Sequence, residues 1–135
     1  MLETIDFGKD DVRSIVSGIA HHVSPSDLIG KKVLCVVNLR EALMAGHKSQ
    51  GMLLCAKNSS EVTVPIYIND DVAVGSKVAP LGVLPAPKKQ LKSKDWTLVQ
   101  SKLVVKEFKV YFDELPMVIN GTDEIVSTVE NSPIS

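Results

Sequence analysis

What most constrains this chain is a series of short apolar runs, each closed within a few residues by glycine, proline or a polar pair. Lys32 to Asn38 reads Lys-Val-Leu-Cys-Val-Val-Asn, and Gln50 to Ala56 reads Gln-Gly-Met-Leu-Leu-Cys-Ala. Apolar runs of this length predict central strands. Leu2 to Phe7, ending at Gly8, and Arg13 to Ile19, ending near Gly18, are further strand candidates. So is Val62 to Ile68, where Pro65 removes a ladder donor and requires an edge or a bend. Lys77-Val78 follows a turn at Gly75. With one Trp, two Tyr and three Phe, the core falls to Val, Ile and Leu, which suit strands. Short strands separated by turn signals predict an all-β or mainly β fold, a barrel or a sandwich.

Other segments read differently. In Ser24-Pro25-Ser26-Asp27, Ser24 can cap a helix, Pro25 fits its first position and Asp27 suits its positive end. Leu39 to Ser49 is expected to be a loop. Leu81 to Pro87 holds two prolines and a glycine and marks a boundary. Beyond it, Trp96, Leu98, Val99 and Leu103 fit one face of a helix over 92 to 103, and a lone Trp on such a face is more often core than a stacking platform. Phe108 to Phe112 and Met117 to Ile119 read as strands, and the end of the chain is polar. The chain length fits one domain, or a small domain with an appendage.

Fifteen Lys and Arg against 16 Asp and Glu leave a net charge of -1. Dedicated nucleic-acid binders are usually basic overall, so phosphate binding here would rest on a local patch. Lys88, Lys89, Lys92 and Lys94 form the densest basic run, either a solvated helix end or an RNA contact. No stretch approaches the ~20 apolar residues of a membrane span, and the first residues lack signal-peptide character. A cytoplasmic protein is expected. Cys35 and Cys55 lie inside apolar runs and read as buried thiols in a reducing compartment. His21, His22 and His47 have no Cys or carboxylate at ligand spacing, so no metal is implied. No nucleophile–base pair, phosphate loop or carboxylate pair stands out, so no catalytic residue and no cofactor is expected.

One stretch is more specific. Gly30-Lys31-Lys32-Val33-Leu34-Cys35-Val36-Val37-Asn38-Leu39-Arg40, then Gly46, then Ser49-Gln50-Gly51-Met52-Leu53-Leu54-Cys55-Ala56 resembles the signature of the tRNA-binding domain family. That family includes the C-terminal parts of some methionyl- and tyrosyl-tRNA synthetases. Ile15-Val16-Ser17-Gly18-Ile19 and Ser24-Pro25 with Leu28-Ile29-Gly30 continue the likeness upstream. Lys89-Gln90-Leu91, Trp96, Gln100, Leu103, Pro116, Gly121 and Asn131-Ser132-Pro133-Ile134 resemble the extension of the endothelial-monocyte-activating polypeptide II branch.

The resemblance implies an oligonucleotide-binding (OB) barrel over residues 1–84, whose first strand is missing, and an extension over 85–135 packed on it. It implies a non-catalytic accessory domain that delivers or retains tRNA for an aminoacyl-tRNA synthetase. An assembly module of a multi-synthetase complex with weakened RNA binding is the alternative. Asn38, Arg40, Ser49 and Met52 become contact candidates, with Arg40 and Lys48 meeting phosphates and Lys89 and Lys92 assisting. Ser49 and Gly51 forming a turn, with Met52 in the core, is the competing reading of that cluster. Leu43 and Ala45 stand where the family usually has basic residues, and Glu41 adds an opposing charge. The matched extension points to a monomer, and an open barrel edge to a homodimer.

Overall fold

The computed structural model describes residues 1–83, 85 and 90–135. In chain order its elements are β1 (Leu2–Asp6), β2 (Val12–Val16), α1 (Pro25–Leu28), β3 (Lys32–Val33), β4 (Cys35–Val36), β5 (Ala42–Met44), β6 (His47–Ser49), β7 (Met52–Leu53), β8 (Cys55–Lys57), β9 (Thr63–Pro65), β10 (Tyr67–Ile68) and β11 (Val78–Pro80). There follow α2 (Ser93–Lys102), β12 (Leu103–Lys106), β13 (Lys109–Phe112), β14 (Leu115–Ile119), β15 (Asp123–Glu124) and β16 (Asn131–Pro133). The fold is mainly β, as the turn-punctuated apolar runs predict.

Three stretches, 32–36, 52–57 and 63–68, make the centre of the barrel. β4 pairs with β7, β8 with β9, and β10 with β3, all antiparallel. Each stretch therefore changes partner midway. Three backbone bonds of 3.0 Å carry the change: Leu34 N to Ile66 O, Leu54 N to Leu34 O, and Ile66 N to Leu54 O. Pro65 ends β9 just before this switch, so the interruption it requires is a bend inside the barrel. β1 and β2 form a hairpin. β2 then lies against the 49–50 segment through Gln50 N to Ser14 O at 2.8 Å.

The central runs are apolar at successive positions because both of their faces are buried. Leu53 and Cys55 join Ile15 and Ile19 in one cluster inside the barrel, with Val33 and Cys35 packed against it. Leu34, Leu54, Ala56 and Ile66 belong to a second cluster, shared with Leu103, Val105, Val110, Ile119, Ile125, Val129 and Ile134. Side chains alternate along a strand. One face of each central strand thus fills the barrel, and the other is covered by the C-terminal part of the chain.

That part is a six-stranded sheet ordered β11-β14-β13-β12-β16, with β15 beside β14. β11 comes from the upstream half and crosses into this sheet, pairing Ala79 with Val118. At the far end, Cys55 and Ser135 exchange two backbone bonds of 2.9 and 3.0 Å. The C-terminal sheet thus packs over one apolar face of a barrel like that of oligonucleotide-binding folds.

Several local expectations are corrected. Residues 39–49 are not a plain loop: β5 and β6 form a hairpin, turned at Ala45 and Gly46, whose φ values are +50° and +81°. Ser24 precedes α1, with Pro25 at its start, but does not cap it; its hydroxyl donates to Asp27 Oδ2 at 2.8 Å. On α2, Trp96 and Val99 pack against the core, whereas Leu98 is 60% exposed and Leu103 opens β12. β12, β15 and β16 lie where the spacing predicts no strand.

Candidate nucleic-acid interface

The 38–52 segment leaves the barrel at Val37, runs out through the β5–β6 hairpin and returns at Gln50. Both ends are tied to β2 by one side chain. The Arg13 guanidinium donates from Nη1 to Val37 O at 2.7 Å and to Gln50 O at 3.2 Å. Its Nε donates to Asp11 Oδ1 at 3.0 Å, and the group sits 5.6 Å from the centre of the Phe7 ring. A charge-assisted fork of this kind fixes the spacing of two strands more firmly than neutral bonds do. Gln50 adds a second tie, its Oε1 accepting from Ser14 N at 3.0 Å. At Gly51 a Cβ would lie 2.7 Å from Val36 O and 3.1 Å from Ile15 Cδ1, so the return crosses too close for any side chain.

The expected contact residues other than Lys89 each have a definite place. Ser49 is 3% exposed; its hydroxyl accepts from Val16 N and donates to Gly51 O, both at 3.0 Å. Met52 is half-buried on β7, opposite Val36. Asn38 is half-buried, and its carbonyl accepts from Leu91 N at 2.8 Å. A parallel bridge between Leu39 and Leu91 extends that contact, so Lys92, remote in sequence, stands beside the root of the hairpin. Arg40, Lys48 and Lys92 are all exposed. Lys89, like Lys88, lies outside the described residues. The structure therefore brings Asn38, Arg40 and Lys92 to one rim, with Lys48 on the arm that leaves it.

Arg13 and Gln50 are the residues that the sequence reading missed. Arg13 sits on a strand whose pairing with residues 24 and 37 positions away is not written in local spacing.

Charge is distributed unevenly. On the extension, Lys102, Lys106 and Lys109 each face an acid: Asp113, Glu114 and Glu124 at 4.0, 3.9 and 2.9 Å. No such pair involves Arg40, Lys48 or Lys92 among the described residues, so their charge faces solvent. An open cleft lined by Asp27, Lys31, Tyr67 and Asp70 carries two carboxylates against one ammonium, a balance that does not favour phosphate. Beneath the barrel wall, burial pushes the Cys35 thiol up to about 12 and the Cys55 thiol up to about 11, with the Glu3 carboxylate adding to both shifts. Both stay protonated at neutral pH and are inert as nucleophiles. His22 Nδ1 is engaged by Thr63 N at 3.2 Å. Among the described residues, no group of three or more His, Cys, Asp or Glu is placed to hold a metal ion, and no helix is long and apolar enough to cross a membrane.

Residues 1–77 match the family model described as "Putative tRNA binding domain". Methionine–tRNA ligase of Caldanaerobacter subterraneus subsp. tengcongensis is 40% identical over 70 residues, 52% of this chain and 11% of the ligase. That of Methanocaldococcus jannaschii is 40% identical over 74 residues, 55% of this chain and 11% of the ligase. The chain thus covers about a tenth of the length of these relatives. Among solved structures, the C-terminal domain of Plasmodium vivax p43 superposes with a TM-score of 0.85 at 27% identity, over 98% of this chain and 82% of that one. The MetRS-related protein of Pyrococcus horikoshii gives 0.51 at 39% identity, over 55% of this chain and 67% of that one. The likeness to the p43 domain takes in the extension as well as the barrel.

Proposed function

Because the chain belongs to the tRNA-binding domain family, whose model it matches over residues 1–77, we propose that it is a non-catalytic accessory domain that delivers or retains tRNA for an aminoacyl-tRNA synthetase in the cytoplasm. The observation that carries this reading is the rim where the Leu91–Asn38 bond sets Lys92 beside Arg40. Three cations there, counting Lys48, look into solvent, while Lys102, Lys106 and Lys109 of the extension each face an acid. Arg40, Lys48 and Lys92 meet phosphates, and Lys89 assists. Met52 and Asn38 line the barrel wall behind them. Ser49 serves the site from within, holding the arm's return strand against β2. Such contacts read backbone rather than sequence, and tethering them to a synthetase raises the local tRNA concentration. We further take residues 1–84 as the binding barrel and 85–135 as its cover. With that face covered in cis the chain is a monomer, which sedimentation at several concentrations tests.

Mobility-shift titrations with tRNA over a range of salt test the binding itself. Wild-type protein is expected to bind weakly and with a steep salt dependence. Replacing Arg40 and Lys48 by Ala removes two phosphate contacts, lowering affinity and cutting the log–log salt slope by about 1.5. Absence of any shift at low salt would sink this reading in favour of an assembly module in a multi-synthetase complex. Glu41 and Ala45 in the arm favour that alternative.

A further inference from the structure

The side chains of the β5–β6 arm sort onto two faces. Ala42 pairs with Ser49, Leu43 with Lys48, and Met44 with His47. Paired residues share a face, and successive residues along a strand take opposite ones. The Ala42–Ser49 face turns to the barrel, because Ser49 is buried and bonded to β2. Leu43 and Lys48 therefore share the outer face. There Leu43 is 73% exposed and packs into neither core cluster among the described residues. The two-residue turn at Ala45 and Gly46, with positive φ at both, makes the arm a tight projection. An aliphatic side chain is thus held in solvent directly across from an ammonium.

Resting on the tRNA-binding reading above, we infer that the outer face of this arm takes one unstacked nucleotide of RNA, its base against Leu43 and its phosphate on Lys48. Charge complementarity selects this occupant. Arg40 precedes the arm, Lys48 lies on its return strand and Lys92 stands at its root, while Glu41 is the one acid between residues 38 and 52. An unpaired base offers an apolar face without the cost of opening a stack, and aliphatic side chains are used elsewhere as surfaces or wedges against bases. The arm therefore selects loops, bulges or ends over continuous duplex.

Fluorescence anisotropy with two RNAs tests this: a hairpin with an unpaired loop, and a blunt duplex of the same stem. Wild-type protein is expected to prefer the hairpin. Leu43→Ser should weaken hairpin binding about tenfold, leaving duplex binding and the salt slope as they were. Leu43→Lys should raise duplex affinity and steepen its salt dependence, erasing the preference. Leu43 is exposed, so both variants should melt with the wild-type protein. If Leu43→Ser binds both RNAs as wild type does, or if wild type holds the duplex as tightly as the hairpin, the nucleotide contact is wrong. The tRNA-binding reading then stands on the Arg40 and Lys48 result. If wild type binds neither RNA and no tRNA, both readings fall.

Discussion

At the scale of single residues, backbone positions separate by what surrounds them. Gly75 and Gly46 share nearly the same conformation, with φ of +82° and +81°. A Cβ on Gly75 would lie 2.1 Å from Phe7 O, whereas one on Gly46 would meet nothing within 4 Å. Gly46→Ala should therefore cost only the left-handed penalty of about 1 kcal/mol, and Gly75→Ala more than about 3 kcal/mol once backbone must move. Urea denaturation reads both, and equal costs would show that the Phe7–Gly75 approach does not constrain the fold. Glu3 poses a different problem. Its carboxylate is buried, accepts from the Ser17 hydroxyl, and has Oε2 without a hydrogen-bond partner. Burial raises its pKa above 4.5, outweighing the Ser17 bond. A folded-state pKa above the unfolded value means the folded state binds the proton more tightly. Stability from this group is then present at low pH and lost as pH rises from 4.5 through the raised value. Glu3→Gln should remove that decline and stabilise the protein at neutral pH, which denaturation curves at several pH values will register; parallel curves for the two proteins would refute it.

At the scale of elements, α2 shows how a helix packs with a narrow apolar stripe. Trp96 and Val99 are packed on the shared core, and Leu98 points outward. Trp96→Ala should cost about 2 kcal/mol for a half-buried indole, and Leu98→Ala less than about 0.5 kcal/mol. Thermal melts of the two variants decide it, and a large loss at Leu98 would mean that its face is covered. The helix was legible because its periodicity is local. Its end was not: Leu103 continues the apolar spacing of α2, yet as the first residue of β12 it is 5% exposed and pairs with Phe112. The β5–β6 hairpin was missed for a related reason. Its strands are short and exposed, Ala45-Gly46 is a weak turn signal, and no apolar alternation marks them. β16 was hidden in a polar tail whose order comes from pairing with Val104, Val105 and Lys106.

At the scale of the whole molecule, the barrel and the extension are joined by a common core. Leu34, Leu54, Ala56 and Ile66 contribute one side of it, and Val105, Val110, Ile125 and Ile134 the other. Burial at ~25 cal/mol per Å² couples the two parts, since neither can expose its half of the cluster cheaply. Unfolding should accordingly be a single transition. Trp96 fluorescence reports the extension and far-UV circular dichroism reports the whole, so coincident curves are expected. A fluorescence transition that precedes the other would mean that the extension folds and opens on its own.

Local composition and order were enough to establish a mainly β chain, the positions of its central strands, the helix over 93–102 and the signature segment from Gly30 to Ala56. These depend on short-range rules: side-chain periodicity, turn residues, and the spacing of a motif. Why the central runs are apolar on both faces was decided only in three dimensions, where the extension folds back over Leu34, Leu54 and Ile66. The same holds for the site. The motif offers Arg40, Lys48 and Ser49 as contact candidates, but the bonding of Ser49 inside the wall, the Arg13 clamp and the placing of Lys92 beside Asn38 come from pairings between distant residues. A hydrogen bond between residues 38 and 91 leaves no trace in the spacing near either, because its partners are chosen by how the sheets close.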